Sequence, residues 1–398
     1  MTTTATDREA PTIALQGIDV PAAAVNPREF FAATRRLQIT EKTIASWAGF
    51  GNTDTVQMLQ TGVLSQLQVH VFGSITVALP TGTCASTARW PYDLVRAFRF
   101  TANGQSNLIN APGSALKLRD IEGRGDLTDR GVAQGIGGAS PGTSRTQGTL
   151  SMNSESWGVG SNVTGIAAGT YNVDLTYTIP IAFDQVNLLG AIFAQTSSTD
   201  LALYIDWAPL NDLFTLTGTA TVTGAFSVVV EATVYSIPQG PHGIFVPDLS
   251  SFHSYITTRN PAIANGVNEV RLSGQGVGRS LLRLNGRVFN GAAPGTPLTV
   301  NATNYGVMGW RFGTNDTPEI LSGQTIRYWN ERLFDSDIGA FFGYWCIDFA
   351  SENAFRDSVD EGSATELRLV TEIPNAVALV SPAIEYTQET VYAGVSGA

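Results

Sequence analysis

In the segment QVHVFGSITVAL the apolar residues Val69, Val71, Ile75, Val77 and Leu79 fall on odd positions, while Gln68, His70, Ser74 and Thr76 fall on even ones. A period of two marks a strand with one face on a core. YNVDLTYTI repeats it, with Val173, Leu175, Tyr177 and Ile179 against Asn172, Asp174, Thr176 and Thr178, and VVVEATVY does so again with Val230, Ala232 and Val234 against Glu231 and Thr233. These segments predict antiparallel sheets. Asn-Gly pairs at 103–104, 265–266, 285–286 and 290–291 supply the positive φ values of tight hairpin turns, and LLRLNGRVF reads as the clearest hairpin.

The N-terminal part is different. Residues Met1 to Val25 are rich in Thr, Ala and Pro without an apolar period, as in a mobile arm. From Asn26 to Phe50 the chain places Phe30, Phe31, Leu37, Ile44 and Trp47 among Arg28, Arg35, Arg36 and Lys42, with Pro27 suited to a first helical turn. A short amphipathic helix is predicted there. Its apolar face either packs on its own domain or, with the basic residues, forms a foot against a membrane surface or a neighbouring subunit.

Strand order suggests that one architecture is used twice. In the first half a strand (Tyr171 to Phe183), a short helical stretch (Asp184 to Gln195) and two strands (Leu201 to Trp207, Ser227 to Ile237) follow one another. The second half repeats that order with Gly343 to Phe349, Ser351 to Ser358, Glu366 to Ile373 and Ala383 to Tyr392. Pro238, Pro241 and Pro247 lie between the halves and place a boundary near Gly240. The Gly-, Ser- and Thr-rich run at about 123–169 reads as a long surface excursion. The expected organisation is an arm and helix over 1–50, a first unit over 51–240 and a second over 241–398 with the C-terminal tail. The fold class is all-β, with two consecutive eight-stranded jelly-roll barrels and short helices.

Composition narrows the function. Only 14% of the 398 residues are charged, against about 25% in ordinary soluble domains. A surface short of charge is one that faces other protein. The balance of 23 basic against 34 acidic residues gives a net charge of -11, which argues against a sheath on nucleic acid. No secretory signal and no membrane-spanning run of about 18 apolar residues is visible.

Candidate chemistry is sparse. His70 lies on a polar strand face, and His242 and His253 lie in or just after the proline-rich linker, so no histidine triad is suggested. There is no P-loop; GQGVGRS (Gly274 to Ser280) reads as a turn. Cys84 and Cys346 lack metal-ligand spacing and read as buried thiols. The carboxylate pairs Asp335/Asp337 and Asp360/Glu361 read as loop charges, and Arg124-Gly125-Asp126 as a chance tripeptide. No catalytic, cofactor or metal site is expected. Trp157, Trp207, Trp310, Trp329 and Trp345 are the candidates for stacking on a sugar, the basis of an alternative reading as a two-domain carbohydrate-binding or carbohydrate-degrading protein.

The segment TYTIPIAFDQVNLLGAIFAQTSSTDLALYIDWA, through Pro180, Ala182, Phe183, Leu189, Gly190 and Ala191, resembles the double jelly-roll major capsid proteins of tailless, internal-membrane-containing bacteriophages, the tectivirus-like lineage. LVRAFRF (Leu94 to Phe100) is similar to an early first-barrel strand of that family. The resemblance implies a structural coat protein and not an enzyme. It implies homotrimers with a pseudo-hexagonal footprint, tiled into an icosahedral shell around an internal membrane, with vertex (penton) and minor capsid proteins as further partners. The protein would be made in the host cytoplasm and reside in the virion, with no sequence-specific contact to nucleic acid. Phe30, Phe31, Arg35 and Arg36 would then face the inner side, towards lipid or a neighbour.

Overall fold

A computed structural model describes residues 13–15, 18–20, 27–103, 107–124, 166–183, 185, 188–195, 200–240, 243–244, 249, 251–260, 262–272, 278–292, 294–312, 316–334, 338–341, 343–350, 358–360 and 366–392. Eight principal strands come first: β1 (Arg36–Ile44), β2 (Thr53–Gln57), β3 (Val63–Ala78), β4 (Val95–Ala102), β5 (Ile109–Ala111), β6 (Gly169–Pro180), β7 (Leu201–Trp207) and β8 (Thr221–Tyr235). They form two sheets, in the orders β6-β3-β8-β1 and β2-β7-β4-β5. This is the strand order of a jelly roll.

The second half repeats it with β9 (Phe252–Asn260), β10 (Gly266–Arg271), β11 (Arg279–Asn290), β12 (Val307–Phe312), β13 (Asp316–Ser322), β14 (Trp345–Asp348), β15 (Leu367–Ile373) and β16 (Ala383–Tyr392). Its sheets run β14-β11-β16-β9 and β10-β15-β12-β13. Every strand of the first barrel therefore has a counterpart eight places later.

Alternation decides which side chains enter each core. In the first barrel Val69, Val71, Leu175 and Val230 meet Phe98 and Leu203 from the facing sheet. In the second, Leu284, Val288 and Ile384 meet Met308, Leu367 and Leu369. Trp207 and Trp345 are fully buried, one in each core, and Cys84 and Cys346 are buried free thiols.

Several sequence expectations are corrected. The N-terminal helix, α1, spans only Pro27–Ala33, and the chain then becomes β1, paired antiparallel with β8. The β-branched run Ile39, Thr40, Thr43 and Ile44 favours a strand, and pairing with β8 supplies the hydrogen bonds a longer helix would have made internally. No helix occupies the described part of 184–195. Leu188 and Gly190 have φ of 56° and 84°, outside the right-handed helical region, and Ile192–Phe193 pairs with Val63 and Leu64.

LLRLNGRVF is not a hairpin but the middle of β11, with Asn285 and Gly286 paired to both β14 and β16. Glycine is needed there for space: a Cβ on Gly286 would come within 2.3 Å of the Trp345 ring. Two helices unforeseen in the sequence, α2 (Gly113–Arg124) and α3 (Gly323–Phe334), follow β5 and β13, one per barrel. Nearly all of the Gly-rich run at 123–169, the stretch Ser351 to Asp357, Trp157 and Asp335/Asp337 lie outside the described residues.

Candidate assembly surface and inter-barrel junction

The barrels are joined edge to edge. β5, the outer strand of one first-barrel sheet, pairs in parallel with β9, the first strand of the second barrel, at Ile109↔Tyr255 and Asn110↔Ile256. One continuous sheet thus crosses both barrels. So short a pairing contributes few backbone hydrogen bonds, and the junction is completed by two buried ionic clusters.

In the first, Arg287 has no exposed surface and donates from Nε and Nη2 to Glu385 (2.9 and 2.6 Å) and from Nη2 to Asp93 of the first barrel (3.0 Å). Arg89 also reaches Asp93 (3.2 Å), and the Ser114 backbone N–H donates to it (3.0 Å). Burial alone would raise the Asp93 pKa, but the guanidiniums of Arg287 and Arg89 hold it below the ordinary carboxylate value. The Tyr344 and Phe289 rings lie 4.5 and 4.6 Å from the Arg287 guanidinium, adding cation–π contacts on its faces.

The second cluster centres on Glu389, which is fully buried. Arg119 of α2 donates to it at 2.7 Å and Arg283 of β11 at 2.7 Å. His253 stands between the barrels, with Nε2 3.0 Å from Glu389 and Nδ1 2.9 Å from the Pro180 carbonyl. Burial would raise the Glu389 pKa, but the two arginines and the histidine hydrogen bond outweigh that and hold it well below the usual carboxylate range. His253 is the residue sequence reasoning missed. A histidine after a proline-rich linker gives no periodic signal of burial.

The family-like segment forms the first-barrel side of this junction. Pro180 accepts from His253 and the Phe183 carbonyl accepts from Arg119 (3.0 Å). The Phe183 N–H donates to Leu189 (2.8 Å) and the Ala191 N–H to Leu188 (2.9 Å), closing a tight turn. Within that turn Gly190 has a positive φ and passes so close to His253 that a Cβ would sit 2.7 Å away. The Ala182 N–H donates to Ser65 (2.7 Å), which ties the segment back to β3.

The four N-terminal residues separate into two pairs. Phe30 is fully buried among Val63, Ala182, Leu188, Ala191 and Tyr235, and Phe31 packs beside it at a ring distance of 5.4 Å. The apolar face of α1 is thus packed on its own barrel, and Phe30 has no surface left for lipid or a neighbour. Arg35 and Arg36 are exposed.

Of the sugar-stacking candidates, Trp329 is exposed on α3. Trp207 and Trp345 are in the cores, and Trp310 packs against Phe349 at 5.3 Å, so three of the stacking candidates present no open face. A groove of about 460 Å³ lined by Thr53, Arg96, Arg99, Asn110 and Asp206 is polar. Its Arg99 and Asp206 bond to each other at 2.6 and 2.9 Å, which leaves that carboxylate engaged. Among the described residues no three His, Cys, Asp or Glu side chains gather as a metal site, and no helix is long and apolar enough to cross a membrane.

No protein-family model and no curated protein matches the sequence. Solved structures do. The STIV MCP superposes with a TM-score of 0.63 at 14% identity, covering 90% of this chain and 97% of that one. The structure of Sulfolobus Turreted Icosahedral Virus gives 0.60 at 16% identity, covering 91% of each chain. The fold is the double jelly roll of viral major capsid proteins. The Faustovirus major capsid protein shares this double jelly roll over 90% of each chain, with a TM-score of 0.53 at 9% identity. Identities this low mean that the likeness lies in strand order and packing and not in retained side chains.

Proposed function

We propose that this chain is a major capsid protein, a structural subunit and not an enzyme, that tiles an icosahedral shell. The observation that carries the reading is the edge-to-edge union of two jelly rolls in one chain, an arrangement that matches a solved capsid subunit over nearly its whole length. A subunit of this kind works by burying surface against copies of itself, and a chain with 14% charged residues suits that task.

The oligomer proposed is a homotrimer with six barrels, packed further into a lattice and completed by vertex and minor capsid proteins. An internal membrane lies beneath it, met by the exposed Arg35 and Arg36 beside α1. The net charge of -11 keeps the subunit from gripping a genome directly. Sedimentation of the full chain tests this: a trimer is expected, and a monomer throughout the micromolar range overturns it. Replacing both Arg35 and Arg36 by Glu is expected to weaken binding to anionic vesicles, and unchanged binding refutes the membrane-facing role.

A further inference from the structure

The strand-for-strand repeat allows the inner junction to be used as a template. Helices α2 and α3 each have 12 residues and begin at a glycine, Gly113 and Gly323. Each glycine packs against a tyrosine just ahead of the fourth strand of its barrel, Tyr92 and Tyr305. Aligned on these glycines, Asn110 of β5 corresponds to Ile320 of β13, and Leu118 and Arg119 correspond to Tyr328 and Trp329. The first strands align through their partners, since Arg36 lies opposite Tyr235 and Phe252 opposite Tyr392, the last residues of β8 and β16. Leu37 then corresponds to His253, Ile39 to Tyr255 and Thr40 to Ile256.

Equivalent positions differ in what covers them. At the β5–β9 junction His253 is 1% exposed, Tyr255 0% and Leu118 0%. Of their counterparts, Leu37 is 40% exposed and Tyr328 59%, while Ile39 is half-buried on its own core; beside them Ile320 and Trp329, which correspond to the half-buried Asn110 and Arg119, are 39% and 48% exposed. Backbone pairing shows the same contrast. The chain uses the fifth strand of its first barrel and the first strand of its second, and among the described residues the outer edges of β1 and β13 pair with nothing. Such edges attract further strands unless they are covered.

We propose that a second copy of this chain covers them, with β1 of one copy adding in parallel to β13 of the next. Thr40 then lies beside Ile320 as Ile256 lies beside Asn110, and Tyr328 and Trp329 of α3 pack against the neighbouring first barrel as α2 packs against β9 and β16. This deepens the capsid reading and rests on it. The contact joins two different surfaces, so it is heterologous and must either close into a ring or run on as a fibre. With the trimer proposed above it closes at six barrels, every barrel edge meeting the next in one way.

The test is a paired cysteine variant of the full chain, Thr40→Cys with Ile320→Cys. Adjacent strands lie about 4.8 Å apart, inside the Cα range a disulfide accepts, and the native Cys84 and Cys346 are buried. Mild oxidation is expected to give a covalent trimer on a non-reducing gel, reversed by reductant, while each single-cysteine variant runs as a monomer. An oligomer by sedimentation that yields no covalent band overturns the edge pairing and leaves the assembly reading standing. A monomer by sedimentation removes both. Dimers from the Thr40→Cys variant alone indicate a two-fold contact and also overturn the proposal. Trp329→Glu, at an exposed position, is expected to weaken self-association at least tenfold with the circular dichroism of the subunit unchanged, and unaltered self-association counts against it.

Discussion

Glu389→Gln tests the energetics of the junction with almost no change in shape. The carboxylate accepts from Arg119, Arg283 and His253, all within 3.0 Å, and no part of it reaches water. The amide keeps the volume and removes the charge that the buried Arg283 and the partly buried Arg119 face; Asp348, 3.6 Å from Arg283, remains. Removing one partner of a buried ion pair costs about 3–5 kcal/mol. For a unfolding unit the size of one barrel, each kcal/mol lowers the midpoint by about 2–4 °C, so a fall of about 6–20 °C is expected in thermal melts followed by circular dichroism. Glu331→Gln serves as the control. Its bond to Arg327 lies on the helix surface and contributes at most about 0.5 kcal/mol, within about 2 °C. A shift for Glu389→Gln no larger than that of the control refutes the reasoning.

Three further outcomes follow from the same geometry. Because Asp93 and Glu389 are held below their unfolded values, the stability they contribute is in place above about pH 4–4.5 and is lost as pH falls through the lower folded values; acid melts should show this, with a shallower fall in Glu389→Gln. Gly286→Ala drives a Cβ into the Trp345 ring and should destabilise the second barrel by about 1–3 kcal/mol, read from denaturant midpoints at unchanged slope. Gly190→Ala strains a positive φ and crowds His253, so hydrogen exchange should speed up along β9 by more than along β3, and equal protection would contradict the role given to that turn.

Strands were the most legible elements. Leu201–Trp207 and Ala383–Tyr392 appear with the ends their patterns suggest, and the β6 and β8 segments differ by a few residues. Asn285-Gly286 misled because the dipeptide is a turn signal only where the chain is free to turn; here Trp345 needs a side-chain-free site on a central strand. Helices α2 and α3 were hidden for a related reason. Ser114 and Ala115 of α2 are buried against both barrels, so α2 shows no simple apolar stripe; the buried stripe of α3, Gly323, Ile326, Asn330 and Phe334, includes a glycine and an asparagine, while Tyr328 and Trp329 are exposed. The α1 segment carried a correct amphipathic signal whose apolar face had two possible partners, and only the coordinates of Tyr235 and Ala182 chose between them.

What the sequence by itself determined is the all-β class, the doubling of one strand order and the poverty of charge, because alternation and composition are local properties written along the chain. Only the tertiary structure decided how the two barrels are joined. Asp93 and Arg287 are 194 residues apart, and His253 and Glu389 are separated by 136. No periodicity couples such positions; a buried charge is recognised only once its partner is in place. The same holds for the open edges. An exposed strand reads in sequence like any other, and β1 and β13 became a matched pair only when β5 and β9 were found already joined.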